Sequence, residues 1–285
     1  MDDAYTASNL PWESDNIVSV IIEAGVTRVS ESAFENLDTI TSVKLGKDVE
    51  ELGEDCFSGT AISSIILPEG LKKIGDYAFW GTDITELNIP SKVEISNAEC
   101  FHFCYYLTAV NIDQDNASAI SIDGVVYSKD ESTLIYVPSG KKNCTIETGT
   151  SRIGDYAFSR WNGTEIEIPS SVTEIGIGAF ESSTLANVTF KEGLKTIGEY
   201  AFSSCKIKTA ILPSTVETIG VRAFSSSSLK VITIEKAIKS IGEKAFYYSD
   251  GITITIGRPS SEKATLDTTN DNWGAKNATV NWSDS

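Results

Sequence analysis

The sequence predicts a mainly β solenoid with repeats of about 22 residues, short strands and few or no regular helices. The first observation is a phrase, Ile-Gly-x-x-Ala-Phe, that recurs along the chain. The second is that aliphatic residues follow each Phe at fixed spacing, often before a Pro. A unit of this size cannot bury its apolar side alone, so consecutive units must stack. The recurring residues are Phe34, Phe57, Phe79, Phe101, Phe158, Phe180, Phe202, Phe224 and Phe246.

Each repeat is expected to contain two short strands. After Phe79, Leu87 and Ile89 alternate with Glu86 and Asn88, as in a strand with one buried face. The Pro that follows ends the strand, because its nitrogen has no hydrogen to donate. The other strand precedes the Phe. A Gly four positions before the Phe either takes a positive φ or lets two backbones approach closely.

The Phe slot is expected to form the core. Nine of the eleven Phe residues occupy it, which predicts a single ladder of rings along the molecule. Burial of a large side chain contributes roughly 1.5–3 kcal/mol, so the ladder is expected to be a main source of stability. The length allows two domains, but the continuing repeat favours one elongated domain.

The repeat is interrupted once, by a gap of 57 residues between Phe101 and Phe158. We expect a hairpin there, with strands at 121–127 and 134–137 around a polar turn at 128–133, projecting from one edge. The predicted organisation is an N-terminal cap or run-in at 1–16, one solenoid at 17–256 interrupted at about 113–150, and a C-terminal cap at 257–285.

The terminal coils are expected to be covered by tryptophans, Trp12 at one end and Trp273 and Trp282 at the other. Residues 259–272 are polar and predict an irregular loop. Residues 277–282 predict one final strand.

The repeats resemble one family. The phrase Ile-Gly-x-x-Ala-Phe with Leu-x-x-Val-x-Ile-Pro, and the insert segments Ile122-Asp-Gly-Val-Val-Tyr-Ser-Lys-Asp and Leu134-Ile-Tyr-Val-Pro138, are similar to BspA-like leucine-rich repeat proteins. The resemblance covers about residues 17–256. It implies a right-handed leucine-rich-repeat solenoid on the surface of gut or oral bacteria, or of some protozoan parasites. It also implies adhesion or recognition, with extracellular matrix proteins among the ligands of some members. The family has no fixed set of binding residues to transfer.

The charge balance limits the partners. Forty acidic and twenty-three basic residues give a net charge of −17, which argues against nucleic acid, whose phosphates require clustered Lys and Arg. Residues 1–60 hold thirteen acids and three bases, consistent with a basic partner or with simple solvation. No stretch is apolar enough for membrane insertion. An extracellular or cell-surface chain is expected, with the signal peptide and any anchor outside this sequence.

No cofactor, metal or catalytic residue is expected. Cys56, Cys100, Cys104 and Cys205 fill repeat slots and are predicted to be buried thiols rather than a disulfide framework. A structural zinc site needs four ligands, and His102 is the chain's one histidine. No base is placed to activate a serine.

Candidate binding residues occupy the strand positions that point away from the core, on the sheet face that solenoids commonly use for binding. The leading hypothesis is a monomeric, non-catalytic recognition or adhesion module that binds an extracellular protein, such as a matrix component, or a glycan. A structural spacer or stalk within a larger surface protein is the alternative. The candidate residues are Glu86, Asn88, Asn111, Glu165, Glu167, Asn187 and Thr189.

A glycan-active enzyme is the third hypothesis. Glu165 and Glu167 are expected to lie roughly 7 Å apart on one face. That separation falls in the range of an inverting glycosidase pair. Nothing in the sequence suggests the apolar pocket that would raise the pKa of one of them.

Overall fold

The computed structural model describes residues 16–266 and 271–283. The chain is a mainly β solenoid with coils of about 22 residues, as predicted. It divides into an N-terminal unit, Met1–Asp130 with Tyr136–Lys141, and a C-terminal unit, Glu131–Ile135 with Lys142–Ser285. Among the described residues, no helix is both long and apolar enough to cross a membrane.

The N-terminal unit contains two rows of short parallel strands. The first row consists of two-residue strands just before the Phe slot, and the second lies after it. The first row is β2 (Arg28–Val29), β4 (Glu51–Leu52) and β5 (Lys73–Ile74). The second row contains β1 (Ser19–Ile21) paired with β3 (Ser42–Lys44), and β6 (Glu86–Ile89) paired with β7 (Ala109–Ile112). A 3₁₀ turn covers Glu99–Phe101.

The C-terminal unit repeats the same two rows. Its first row begins with β10 (Thr133–Tyr136) and continues in parallel through β11 (Arg152–Ile153), β13 (Glu174–Ile175), β15 (Thr196–Ile197), β17 (Thr218–Ile219) and β19 (Ser240–Ile241). Its second row pairs β12 (Glu165–Ile168) with β14 (Asn187–Phe190), and then aligns β16 (Thr209–Ile211), β18 (Val231–Ile234), β20 (Thr253–Ile256) and β21 (Thr279–Trp282).

The turns around each Phe form a third hydrogen-bonded row, which the sequence analysis did not predict. The N–H groups two before, at, and two after the Phe donate to carbonyls of the next coil. All three bonds are present in the coils of Phe34, Phe57, Phe158, Phe180, Phe202 and Phe224. Phe180 N–H, for example, donates to Ala201 at 2.8 Å, and Phe202 N–H donates to Ala223 at 2.7 Å. The geometry requires positive φ beside the Phe, as at Tyr200 (54°). We call this row the turn ladder.

The Phe rings fill the interior of both units. In the N-terminal unit Phe57 lies 5.5 Å from Phe34 and 6.3 Å from Phe79, with the rings nearly parallel. Phe101 stacks at 5.0 Å on Tyr136, a residue of the insert that the sequence analysis did not place in the core.

In the C-terminal unit all five rings stack face to face. Their centroids are separated by 4.6, 5.0, 5.2 and 6.0 Å from Phe158 to Phe246. Each of the five is fully buried. Such close, repeated stacking fixes the register of every coil on the one before it.

The repeated Gly four positions before the Phe serves close approach. A Cβ on Gly53 would lie 2.5 Å from the backbone N of Glu31, and one on Gly75 would lie 2.5 Å from that of Glu54. Neither glycine has a positive φ. Of the two explanations open from the sequence, the approach of neighbouring backbones is correct.

The predicted second strand of the insert, 134–137, is present as β10, but the first strand and the projection differ from the prediction. Residues 121–127 are not one strand, because the chain reverses at Asp123 and Gly124, which have φ of 49° and 74°. The antiparallel pair is therefore β8 (Ala119–Ile122) with β9 (Val125–Ser128). This hairpin packs onto β7, where Val110 N–H donates to Gly124, and Val125 and Val126 are buried.

The C-terminal cap is partly as predicted. The final strand is present as β21, which pairs with β20. The predicted irregular loop instead contains a 3₁₀ turn at Ser260–Glu262, a helix α1 at Lys263–Leu266 and a 3₁₀ turn at Asn272–Gly274. Trp273 is 2% exposed, meets Phe246 edge-on at 6.1 Å and donates through Nε1 to Leu266. Trp12 lies outside the described residues.

Candidate functional site

The predicted site residues of the N-terminal unit lie together on β6 and β7. The strand register places Asn88 opposite Asn111 and Glu86 opposite Ala109. The amide of Asn111 donates to Asn88 at 3.0 Å and also to the carboxylate of Glu86. These polar groups form a small network on the outward face. A ligand that binds here would replace hydrogen bonds that these side chains already make to one another.

The predicted site residues of the C-terminal unit lie on β12 and β14. Glu165 stands opposite Asn187, and Glu167 stands opposite Thr189. All four are exposed, and Lys191 Nζ pairs with Glu167 Oε2 at 3.1 Å. An exposed ion pair of this kind contributes little to stability, so it leaves Glu167 available to a partner.

The sheet face changes character along the C-terminal unit. The outward positions of β16, β18, β20 and β21 carry no charged side chain. Most are threonines, and the apolar members are well exposed, with Ile211 at 67% and Val231 at 39%. The register aligns Thr209, Val231, Thr253 and Thr279 in one line, and Ile211, Thr233, Thr255 and Asn281 in the other. We call these eight positions the uncharged face.

A groove of about 450 Å³ borders the uncharged face. It lies at the ends of β18, β20 and β21, where Thr233, Thr255 and Trp282 form its walls. Trp282 was expected as a cap residue at the end of the predicted final strand. The register places Trp282 opposite Ile256, at the end of β21 where the groove opens.

The arrangement offers little for catalysis. Glu165 and Glu167 lie on an open strand surface rather than in an enclosed apolar pocket. Within residues 16–266 and 271–283, no group of three or more His, Cys, Asp or Glu side chains is placed to hold a metal ion. All five cysteines lie among the described residues, and none of them forms a disulfide. Burial raises the pKa of Cys104 and of Cys205 to about 12, which keeps these thiols protonated and unreactive.

A second groove, which sequence reasoning missed, lies on the turn ladder of the N-terminal unit. Its volume is about 430 Å³. Three aromatic residues and two carboxylates share it although they come from four different coils. An alignment of the turn positions of the repeats, in addition to their apolar positions, could have located this groove. We call it the turn groove; its residues are Glu35, Asn36, Asp55, Ser58, Tyr77, Trp80 and Phe103.

The repeat matches the model of a known protein family. A model of the BspA type leucine rich repeat region matches in six copies over residues 9–128 and 142–263. The chain belongs to the BspA-type leucine-rich repeat family. The two matched ranges leave out most of the segment that carries β10, which is where the regular repeat is interrupted. No relative among curated proteins matches the chain.

Solved structures share the fold of this leucine-rich repeat chain. The pneumococcal vaccine antigen PcpA superposes with a TM-score of 0.74 at 20% identity, over 93% of this chain and 79% of PcpA. A leucine rich cell surface protein of Faecalibacterium prausnitzii gives 0.66 at 24% identity, over 88% and 82%. A leucine-rich repeat protein of Eubacterium ventriosum gives 0.65 at 21% identity, over 88% of each chain. At these identities the likeness concerns the fold.

Proposed function

We propose that this leucine-rich repeat chain is a non-catalytic recognition module that acts outside the cell or at its surface. It binds a macromolecule through its exposed sheet face. The observation that carries the proposal is the uncharged face. In a chain with a net charge of −17, four successive strands present threonine, isoleucine, valine and asparagine, and no charge, to solvent.

A solvated surface that only maintains solubility is normally mixed with Lys and Glu. The uncharged face instead exposes methyl groups beside hydroxyls, and both can be buried against a partner at a low desolvation cost. Parallel strands about 4.8 Å apart hold these side chains in fixed rows. The surface is therefore preorganised, which lowers the entropy lost on binding.

The carboxylates of β12 extend this surface with a charged part. Glu165 and Glu167 stand next to the amide of Asn187 and the hydroxyl of Thr189. A partner that covers both parts would combine apolar contact with directed hydrogen bonds. Such a partner is an extracellular protein, for instance a matrix component, or a glycan, and the chain acts as a monomer. Description of one structural relative as a cell surface protein supports the location.

The test is a binding measurement with the immobilised chain against fibronectin, fibrinogen, collagen, mucin and a glycan panel at physiological salt. Two variants place positive charge on the proposed binding surface: Ile211→Lys, and the pair Glu165→Lys with Glu167→Lys. Each is expected to weaken binding at least about tenfold, since a buried unpaired charge costs more than 1.4 kcal/mol.

The matched control is Glu199→Lys with Asp250→Lys. These two carboxylates are exposed in the same unit but lie on the turn ladder, and the change in net charge equals that of the Glu165 and Glu167 pair. Equal loss in the control and the sheet variants would contradict sheet-face binding. Binding to no member of the panel would favour the spacer or stalk. Glycan cleavage that disappears in Glu165→Gln would favour the enzyme.

A further inference from the structure

The turn ladder of the N-terminal unit is uniformly acidic. Its four turns, at 30–38, 53–61, 75–83 and 97–105, contain no Lys or Arg. The five corresponding turns of the C-terminal unit, at 154–162, 176–184, 198–206, 220–228 and 242–250, contain five acids and four bases. The repeat itself therefore does not require the acidity. The eight acids are Glu31, Glu35, Asp38, Glu54, Asp55, Asp76, Asp83 and Glu99.

The turn groove combines this acidity with aromatic walls. Trp80 is 36% exposed and packs against Phe103, with ring centroids 5.7 Å apart and the ring planes inclined by 57°. Tyr77 is held in the same way by His102, at 5.8 Å. Packing from the next coil thus fixes both rings. Glu35 and Asp55 approach from the two preceding coils.

The carboxylate of Asp55 is partly buried. Burial raises its pKa, and so do the negative charges of Glu35, Glu54 and Glu31, while a hydrogen bond from Ser58 lowers it. The pKa of Tyr77 is raised by burial and by the neighbouring carboxylates. A bound cation would relieve the repulsion among these groups, and the tyrosine would stay neutral beside it.

In the C-terminal unit, rings at these two repeat positions contact a cation, although those rings come from coils two apart and not from one coil. Arg222 lies with its guanidinium carbon 5.7 Å from the centre of the Tyr200 ring and 5.9 Å from that of Tyr247. Tyr200 holds the repeat position of Tyr77, two before the Phe, and Tyr247 holds that of Trp80, one after it. Distances up to about 6 Å are those at which a cation is attracted to an aromatic face.

The turn groove of the N-terminal unit lacks an internal arginine at the corresponding place. The repeat position of Arg222 is occupied by Asp55 in the coil before Tyr77 and by Glu99 in the coil after it. Tyr77 and Trp80 belong to one coil, so the turn groove does not repeat the Arg222 arrangement, but it places carboxylates at the repeat position that holds the arginine. The groove therefore presents aromatic rings and negative charge to a cation, and these repeat positions supply no positive charge of their own.

We propose that the turn groove binds an arginine or lysine side chain of a basic protein segment. The cation lies over Trp80 and Tyr77, and the carboxylates of Asp55 and Glu35 pair with it. The flanking acids Glu31, Glu54, Asp76 and Glu99 accept further basic residues of the same segment. This surface is separate from the sheet face, so the inference goes beyond the proposed function and does not depend on it.

The probe is a fluorescein-labelled peptide of alternating Arg and Gly, nine residues long, titrated with the full chain by fluorescence anisotropy. A second peptide replaces each Arg with citrulline, which keeps the shape and removes the charge. Measurements are made at 0.15 M salt, where the Debye length is about 8 Å and distant charges are screened. We expect saturable binding of the arginine peptide and none of the citrulline peptide.

Trp80→Ala separates the groove from simple attraction to an acidic protein, since it leaves the net charge unchanged. We expect it to weaken binding by at least about fivefold. Trp80→Phe keeps an aromatic face and is expected to restore most of the affinity, and Asp55→Asn is expected to act like Trp80→Ala. The control Glu199→Gln, which removes a turn carboxylate of the C-terminal unit, is expected to bind as the parent chain does.

Three results would overturn the proposal. The first is unchanged affinity of a folded Trp80→Ala variant, checked by its circular dichroism spectrum and melting temperature. The second is equal binding of the citrulline peptide. The third is binding of tetramethylammonium with no binding of the arginine peptide, which would assign the groove to a small quaternary ammonium ligand. A chain that fails on the matrix and glycan panel but binds this peptide would refute the sheet-face function alone.

Discussion

Replacing Gly220 with alanine is expected to lower the free energy of unfolding by about 1–3 kcal/mol. A Cβ at this position would lie 2.5 Å from the backbone N of Glu199 and 2.8 Å from the carbonyl O of Gly198. Both atoms belong to the backbone of the preceding coil. They cannot move away without stretching the 2.8 Å hydrogen bond from Gly220 N–H to Ile197. The lower entropy of the unfolded alanine chain offsets only about 0.4–1 kcal/mol.

Gly149→Ala provides a matched control in the same unit. A Cβ there would have no heavy atom within 4 Å, and φ is not positive, so the variant is expected to be neutral or slightly stabilised. The assay is urea unfolding followed by circular dichroism, with the melting temperature measured in parallel. A loss of about 2 kcal/mol lowers the melting temperature by about 4–8 °C in a domain of this size. Equal urea midpoints for the two alanine variants would refute the close-approach argument.

Two further predictions concern the interior. Phe202→Ala is expected to cost about 3–5 kcal/mol in urea unfolding, because it leaves a cavity between two stacked rings. Tyr106→Ala, where the ring is 59% exposed, is expected to cost under about 0.5 kcal/mol, and equal losses would contradict the ladder. Titration with a thiol reagent is expected to label Cys144 rapidly in the folded chain and all five cysteines in urea, since the other four are buried. Rapid labelling of more than one thiol in the folded chain would show that the coils open.

The parts of the fold that repeat were predictable from the sequence. The Phe slot, the alternating Leu87 and Ile89, and the glycine before each Phe depend only on burial and local geometry, which recur with the period. The reversal at Asp123 and Gly124 was also readable, since an Asp-Gly pair between apolar runs is a strong signal for a two-residue hairpin. The sequence analysis missed it because it treated 121–127 as one strand.

Other features could not be predicted from the apolar pattern alone. Tyr200 and Asp55 adopt positive φ without being glycine or asparagine, because hydrogen bonds between coils impose that conformation. The turn groove depends on how side chains 19–68 positions apart in sequence meet across coils. The candidate residues on the sheet face could be assigned to the outward side, but their contacts, such as the bond from Asn111 to Asn88, follow from the strand register.

The turn ladder has a further consequence for the electrostatics of the solenoid. In the C-terminal unit, from Phe158 to Phe224, the N–H groups two before, at and two after each Phe all point toward the next coil, so these peptide dipoles add in three columns. An α-helix contains between three and four such columns, and its summed dipole amounts to about half an elementary charge at each end. Here the polarity relative to the chain is reversed, and the positive pole faces the C-terminus. Phe246 N–H meets the carbonyl of Trp273 at that pole, so the cap shields the end of a dipole as well as the end of a core.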